Sequence, residues 1–310
     1  MHPIRDVAVI GAGNMGHGFA AHFALNGRSV ALYDHHESNL DSARERIRDV
    51  LSFLDERDLA PVEPEDAFSE VTYQTDLEAA VDDTDFVLET VTEDIEVKRE
   101  LFQRIGEVAP KDAVLASNTS SLRVTDIADG APSCADRIVG CHWWYPPYLL
   151  EPVEVVRGAE TSDETMDRTA AFVEAVDRKP VVVERDVPGF VWNRIQSAVV
   201  RECMHLAAEG VASIEDIDTA IRDGYARRTS VVGPFETMDI AGLDLFRTVT
   251  DELYTHLCDD DEPNALFDDY LDRGRGGIAD GAGFHDYDSP DAVTRRRDER
   301  LAALRRLYEK

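Results

Sequence analysis

Hydrophobic residues fall into two rhythms along this chain. Up to "RDVPGF" at residues 185–190, short apolar runs alternate with longer stretches of helical period; beyond that point the short runs stop. The runs "IRDVAVIGAG", "SVALYD", "VTYQ", "FVLETV", "AVLASN", "RIVGCHW", "PVEVV" and "PVVVE" read as strands. Residues 14–26, stopped by Gly27, and residues 37–57 read as helices, with a proline-marked break at "APVEPED". Strands alternating with helices predict an α/β fold with a Rossmann-type doubly wound, mostly parallel sheet. An all-helical C-terminal domain follows, beginning at "VWNRIQSAVVRECMHLAAEG". The expected division is residues 1–187 and 188–310, meeting at Pro188-Gly189. No internal repeat is visible, and the glycine-rich "RGRGGIADGAG" is the single compositional oddity.

The first strand runs straight into "GAGNMGHG", which sets Gly11, Gly13 and Gly16 in G-x-G-x-x-G spacing between a strand and a helix. The first glycine permits the tight turn, the second lets a pyrophosphate approach the backbone, and the third lets helix and strand pack closely. Free N–H groups at the helix start then face the phosphates. Asn14 and Met15, inside the loop, count with the glycines as cofactor contacts. Asp34 ends the second strand about 20 residues on, where a carboxylate binds ribose hydroxyls and repels a 2′-phosphate. The expected cofactor is NAD.

Composition narrows the partners. The chain has 310 residues, enough for about two domains, and 43% of them are hydrophobic. It carries 63 acidic against 32 basic residues, a formal net charge of −31. Lysine occurs only at Lys98, Lys111, Lys179 and Lys310, and the acids are spread along the whole chain. So negative a molecule is a poor partner for nucleic acid or an anionic membrane, and the pattern reads as adaptation to a saline cytoplasm. No run approaches the roughly 18 apolar residues of a membrane span. The start of the chain leaves no room for a signal peptide, and a cytoplasmic location is expected. Cys134, Cys141, Cys203 and Cys258 form no C-x-x-C pair, which argues against zinc and against a disulfide framework; no metal is expected.

The candidate chemistry lies in "GCHWWYPPYLLEPVEVVRG". His142 closes one expected strand, and Glu154 stands inside the next. A histidine in such a position is more often structural than not. An imidazole that titrates near neutrality can nevertheless take and return a proton, and a carboxylate can fix its tautomer.

"VLETVTEDIEVKRELF", "ASNTSSLRVTDIA", "GCHWWYPPYLLEPVEVV", "TSDET", "DVPGFVWNR" and "GPFETMDIAGLD" occur in this order. Together with the glycine loop they strongly resemble the L-3-hydroxyacyl-CoA dehydrogenases and their near relatives, the carnitine dehydrogenases and lambda-crystallin (gulonate dehydrogenase). The resemblance covers essentially the whole chain. It implies an NAD-binding domain followed by a helical domain that forms a homodimer. It also implies catalytic roles for His142 and Glu154, with Ser120 and Asn193 positioning the reacting oxygen. Glu93 and Lys98 match residues at the nicotinamide ribose and at the junction with CoA. Arg44, Arg48 and Arg57, with Arg46, replace the lysines that usually follow the second strand, and become candidates for the CoA phosphates.

The implied substrate is a short-chain (S)-3-hydroxyacyl-CoA, oxidised reversibly to the 3-oxoacyl-CoA. The alternative is a free 3-hydroxy acid of the carnitine or gulonate kind. A nucleotide-binding structural protein is a third reading, opposed by the four catalytic matches. A lysine acid/base of the hydroxyisobutyrate type has no candidate between Lys179 and Lys310. The chain departs from the family where "HWWYPP" replaces His-Phe-Phe-Asn-Pro, making the asparagine Tyr145. It departs again in "GGIADGAGFHDY", where Ala279 and His285 replace a lysine and a tyrosine. His17, His22, His205 and His285 are expected at the surface or in packing, and Glu151 as a solvated neighbour.

The charge makes a prediction of its own. Salt screens repulsion among excess carboxylates, so melting temperature and activity should rise with potassium chloride into the molar range. A melting temperature that is flat or falls with salt would defeat the halophilic reading.

Overall fold

A computed structural model describes residues 3–308. Its first half follows the order β1 (Asp6–Ile10), α1 (Gly16–Leu25), β2 (Ser29–Tyr33), α2 (Glu37–Asp55), α3 (Pro64–Ser69), β3 (Val71–Gln74), α4 (Leu77–Val81), β4 (Phe86–Glu89), α5 (Ile95–Val108). There follow β5 (Val114–Ser117), α6 (Val124–Ala128), β6 (Ile138–Trp143), β7 (Pro152–Val156), α7 (Asp163–Ala175) and β8 (Lys179–Val183). All eight expected strands are present. The break at "APVEPED" holds one short helix, α3, which Pro64 starts: a proline at the first helical position surrenders no needed N–H.

The strands form one sheet in the order β3-β2-β1-β4-β5-β6-β7-β8. Every neighbouring pair is parallel except β6 with β7. Chain order reverses direction across the sheet at β1 and β4, and the C-terminal ends of those strands open the crevice where doubly wound sheets bind ligands. Two apolar clusters fill the faces. One packs Phe19, Phe23, Leu32, Ile47, Leu51 and Trp143, the other Ile10, Val87, Phe102, Ile105, Leu115 and Ile138. Strands covered on both faces explain why their sequences are apolar runs rather than alternating ones.

Contacts divide the chain into residues 1–193 with 296–310, and residues 194–295. The division differs from the expected one at 187/188 in two ways. The turn at 188–190 and the start of α8 (Trp192–Ala208) belong with the sheet, because their backbone satisfies a buried carboxylate there. The end of α14 (Pro290–Tyr308) also belongs with it, through Ala302 in the core and Arg305 on the Tyr148 carbonyl. The second unit holds α9 (Ile214–Thr219), α10 (Ala226–Thr229), α11 (Pro234–Ala241), α12 (Leu243–Leu253) and α13 (Leu266–Leu271). Among its residues only Met204 and Gly283 are buried.

Candidate active site

Antiparallel pairing of β6 with β7 sets His142 directly opposite Glu154. Residues directly opposite in such a pair face the same side of the sheet, and here Nδ1 of His142 lies 2.7 Å from Oε2 of Glu154. The second carboxylate oxygen accepts the N–H groups of Val191 and Trp192 at 2.8 and 2.9 Å. Those donors come from the turn ahead of α8, where Gly189 and Phe190 take positive φ of 76° and 49°. A bulky residue in that region is strained, and the turn spends the strain on aiming two N–H groups at one oxygen. Burial pushes the Glu154 carboxyl up, but the bonds from His142, Trp192 and Val191 outweigh it and hold it below the usual carboxylate value. Glu154 has no exposed surface, and the Phe190 ring lies 5.8 Å from that of His142.

Trp143, the last residue of β6, and Trp144, which follows it, are directed apart. Trp143 turns into the core against Phe19, His22 and Phe23 of α1. Trp144 stacks on Trp192 at 4.1 Å between ring centroids, and its buried indole N–H has no partner. Asn193, the next residue, donates from Nδ2 to the Ser120 carbonyl at 2.9 Å. Asn118 accepts the Trp143 N–H at 2.8 Å, tying the loop after β5 to the end of β6. His142, Glu154, Ser120 and Asn193 are therefore joined through one set of hydrogen-bonded segments.

At the other side of the crevice the glycine loop has the shape a dinucleotide needs. A Cβ on Gly16 would fall 1.8 Å from the Gly11 carbonyl oxygen, and one on Gly11 (φ +111°) would meet the Thr90 carbonyl at 2.8 Å. A Cβ on Gly13 would meet nothing within 4 Å, so the space beside its backbone is open to a phosphate. Asn14 and Met15 lead directly from it into α1. Asp34 pins this loop: it accepts the Ala12 N–H at 3.0 Å with one oxygen, and the His36 N–H and Asn39 amide with the other. Burial raises the Asp34 carboxyl, but the bonds from His36, Ala12 and Asn39 prevail, so it stays ionised.

Beyond β4 lies a network only half expected. Lys98, with 1% of its side chain exposed, is held between Glu89 at 2.6 Å and Glu93 at 3.3 Å. Fully buried Glu89 also accepts the Ser117 hydroxyl at 2.6 Å and the Val91 N–H at 2.7 Å. Glu93 accepts the Thr119 hydroxyl at 2.7 Å and the N–H groups of Ser120 and Ser121, each at 2.9 Å. Burial works against its charge, but the bonds from Thr119, Lys98, Ser121 and Ser120 hold Glu93 at about 2. The lysine expected at the nicotinamide ribose and the junction with CoA has its ammonium between these two carboxylates.

The arginines expected at the CoA phosphates lie over aromatic rings. Arg44 lies 4.3 Å over the Tyr73 ring, Arg48 4.2 Å over Phe68 and Arg57 3.9 Å over Phe53. Arg46 alone of this set reaches the glycine loop, donating to the Ala12 carbonyl at 2.8 Å. His22 is buried and holds the Val176 carbonyl, with Arg178 on its other nitrogen; His17 is buried beside Gly13, and His285 pairs with Asp218. Glu151 forms an ion pair with Lys179. Sequence reasoning missed Glu89, Trp144 and Trp192. A carboxylate at the end of the apolar run "FVLE" was a readable signal for the first; the indole pair needed the fold.

A doubly wound sheet with this loop, and a buried histidine-carboxylate pair across β6 and β7, defines an NAD-dependent oxidoreductase. Residues 6–187 match the model of the 3-hydroxyacyl-CoA dehydrogenase NAD-binding domain, and residues 189–287 match its C-terminal domain. The chain belongs to the 3-hydroxyacyl-CoA dehydrogenase family. It is 32% identical, over 99% of each chain, to 5-formyl-3-hydroxy-2-methylpyridine 4-carboxylate 5-dehydrogenase of Mesorhizobium japonicum. A crystal structure bearing that enzyme's description, an NAD+-dependent dismutase, superposes with TM-score 0.92 over 99% of both chains at 32% identity. Human mitochondrial hydroxyacyl-coenzyme A dehydrogenase is 33% identical over 92% of this chain and 91% of its own. L-carnitine dehydrogenase of Streptomyces griseus is 36% identical over 77% of this chain and 70% of its own. The (S)-3-hydroxybutyryl-CoA dehydrogenase structure from Ralstonia eutropha gives TM-score 0.76 at 30% identity, over 92% of this chain and all of that one.

Asp34 yields a prediction about the cofactor. NAD should be strongly preferred over NADP, and Asp34→Ala should narrow the gap by weakening NAD binding, since it also releases the Ala12 N–H. Equal wild-type kcat/KM for the two cofactors would contradict the assignment.

Proposed function

We propose that this protein oxidises the hydroxyl of a small free carboxylate substrate, a secondary alcohol or a hydrated aldehyde, by a His142–Glu154 proton relay. The observation that carries the reading is the 2.7 Å pair set by strand register in a buried site. NAD, when bound, accepts the hydride. With Nδ1 donating to Glu154, Nε2 of His142 is the nitrogen free to take the hydroxyl proton. Glu154 fixes that tautomer and stabilises the imidazolium, while its own charge rests on two backbone N–H groups. The Ser120 hydroxyl and the Asn193 amide supply neutral hydrogen bonds to the developing oxyanion.

Three observations favour a free acid over the CoA thioester expected first from the sequence. Lys98 is enclosed between Glu89 and Glu93, and Arg44, Arg48 and Arg57 lie over aromatic rings. The stacked Trp144 and Trp192 offer a flat wall next to the relay, suited to a planar substrate. Full-length likeness is greater to a pyridine carboxylate dehydrogenase, at TM-score 0.92, than to a hydroxybutyryl-CoA enzyme, at 0.76. The short-chain hydroxyacyl-CoA remains the second reading, supported by Arg46 at the glycine loop.

The assembly we infer is a homodimer joined through the helical unit. There Phe235, Val231, Ile240 and Leu243 are 78%, 76%, 71% and 62% exposed, an apolar surface that a monomer would leave in water. The four cysteines are unbridged, which suits a reducing cytoplasm, and no helix among the described residues is long and apolar enough to cross a membrane.

One kinetic screen at high salt tests the chemistry. NADH formation is measured with a 3-hydroxybutyryl-CoA, carnitine, gulonate, free 3-hydroxybutyrate and the formyl-hydroxy-methylpyridine carboxylate. A free acid should give the highest kcat/KM; a thioester that outperforms every free acid restores the CoA reading. His142→Ala should lower turnover on the best substrate by at least ~100-fold with NAD binding intact. Glu154→Gln should lower turnover and change its pH profile, because the ring loses its carboxylate partner. Near-normal turnover in the first variant, or an unmoved profile in the second, would sink the relay. Sedimentation of the same preparation as a monomer would refute the dimer.

A further inference from the structure

The helical unit, residues 194–295, has almost no interior, so whatever fastens its segments together carries unusual weight. Met204 of α8 is its single buried apolar side chain. Next to it on the same helix stands His205. The acidic segment "CDDDEP" that follows α12 is tied back to α8 by its backbone. The Cys258 N–H donates to Glu202 Oε2 at 2.9 Å, and Arg201 donates to the Asp260 carbonyl at 3.2 Å. These two bonds bring three side chains of different chemistry together. The donor atoms of His205, Cys258 and Asp260 all lie within 4.8 Å of one another. It is the one such group of possible metal ligands among the described residues.

We propose that His205, Cys258 and Asp260 form a zinc-binding site that clips the Cys258 segment onto α8. An imidazole, a thiol and a carboxylate make a borderline-soft donor set that suits zinc; calcium and magnesium take oxygen donors instead. Tetrahedral bonds of about 2.0–2.3 Å place neighbouring donors roughly 3.5 Å apart, within reach of small side-chain rotations from the observed spacing. On binding, the thiol becomes thiolate and its proton passes to solvent, while water fills the remaining position. A metal clip is a common means of holding a unit with too little core, because binding free energy becomes folding free energy. Spacing in the sequence could not reveal it: the ligands stand 53 residues apart (258 − 205), and only the return of the segment to α8 joins them.

The test uses the full-length protein, stripped with a chelator, desalted at high potassium chloride and titrated with zinc or cobalt chloride. Metal analysis after desalting should give one ion per chain, and the cobalt form should show a thiolate-to-cobalt charge-transfer band. Cys258→Ser should abolish that band. Cys258→Ser and His205→Gln should each weaken binding by at least about 100-fold, the upper end of what loss of a mere outer-shell partner costs. Zinc should raise the melting temperature of the wild type and leave both variants unmoved. Cys203→Ser, which removes a thiol from the same helix, should behave as the wild type; loss of the band there would place the metal on the wrong cysteine and overturn the proposal. So would absence of bound metal after desalting. Several ions per chain, retained equally by Cys258→Ser and His205→Gln, would mean that the acidic surface alone collects the metal, and would overturn it too.

Discussion

A carboxylate with no contact with water sits inside the sheet domain, and the surrounding backbone is arranged to keep it charged. Glu154 receives the His142 ring on one oxygen and two N–H groups on the other. Each of those bonds to a charged group is worth about 1.5–3 kcal/mol, and removing one partner of a buried pair costs about 3–5 kcal/mol. The constraint runs outward from there. Glu154 can face His142 only if β7 runs antiparallel to β6 in an otherwise parallel sheet. Its second oxygen can be met only if the chain leaves β8 through a turn with two consecutive positive φ values. That turn starts α8 and carries Trp192 and Asn193 into place beside Trp144 and Ser120. The most irregular pieces of the sheet domain thus serve one buried charge.

A second buried charge system governs the neighbouring strand ends. Lys98 between Glu89 and Glu93 would be expensive as an isolated ammonium, and two carboxylates make it tolerable. The arrangement leaves Glu93 with a surplus of donors from the loop after β5, which fixes that loop where Ser120 lies. The ends of β4 and β6 are therefore coupled through residues 117–121, since Ser117 holds Glu89 while Asn118 holds the end of β6. In a chain that keeps so few lysines, one is placed where no solvent ion could substitute for it.

Much of this was legible in the sequence, for reasons particular to each segment. Strands buried on both faces leave uninterrupted apolar runs, and the glycine loop has chemistry that few other turns require, so the sheet and the loop could be read residue by residue. His142 and Glu154 could be named because their strands are adjacent in the chain. The antiparallel register that makes them partners is a property of the turn between them, which "YPPYLLEP" does not spell out. The roles of the cations were less legible. Arginines four apart on α2 suggest a phosphate site, yet Tyr73 and Phe68 lie where the Arg44 and Arg48 guanidiniums stack, and no periodicity reports an aromatic ring on another element. Glu89 shows the same limit from the other side: a charge closing an apolar strand is conspicuous, but its partner, nine residues on, is revealed only by the turn into α5.

The two halves of the chain meet the cost of folding differently. The sheet domain buries large apolar side chains on both faces, and its ionised groups inside are each answered by several donors. The helical unit has the opposite economy, with apolar residues along α11 and α12 left open and acids spread between them. Self-repulsion from a net charge of −31 bears hardest on a unit with so little burial to oppose it. A second copy over the apolar surface, salt over the carboxylates and a metal at His205, Cys258 and Asp260 would all act on that same weakness. They differ in kind: the first depends on protein concentration, the second on ionic strength, and the third on three named side chains. Stability of the sheet domain, by contrast, rests on contacts already complete within one chain, so it should be the less sensitive half under all three conditions.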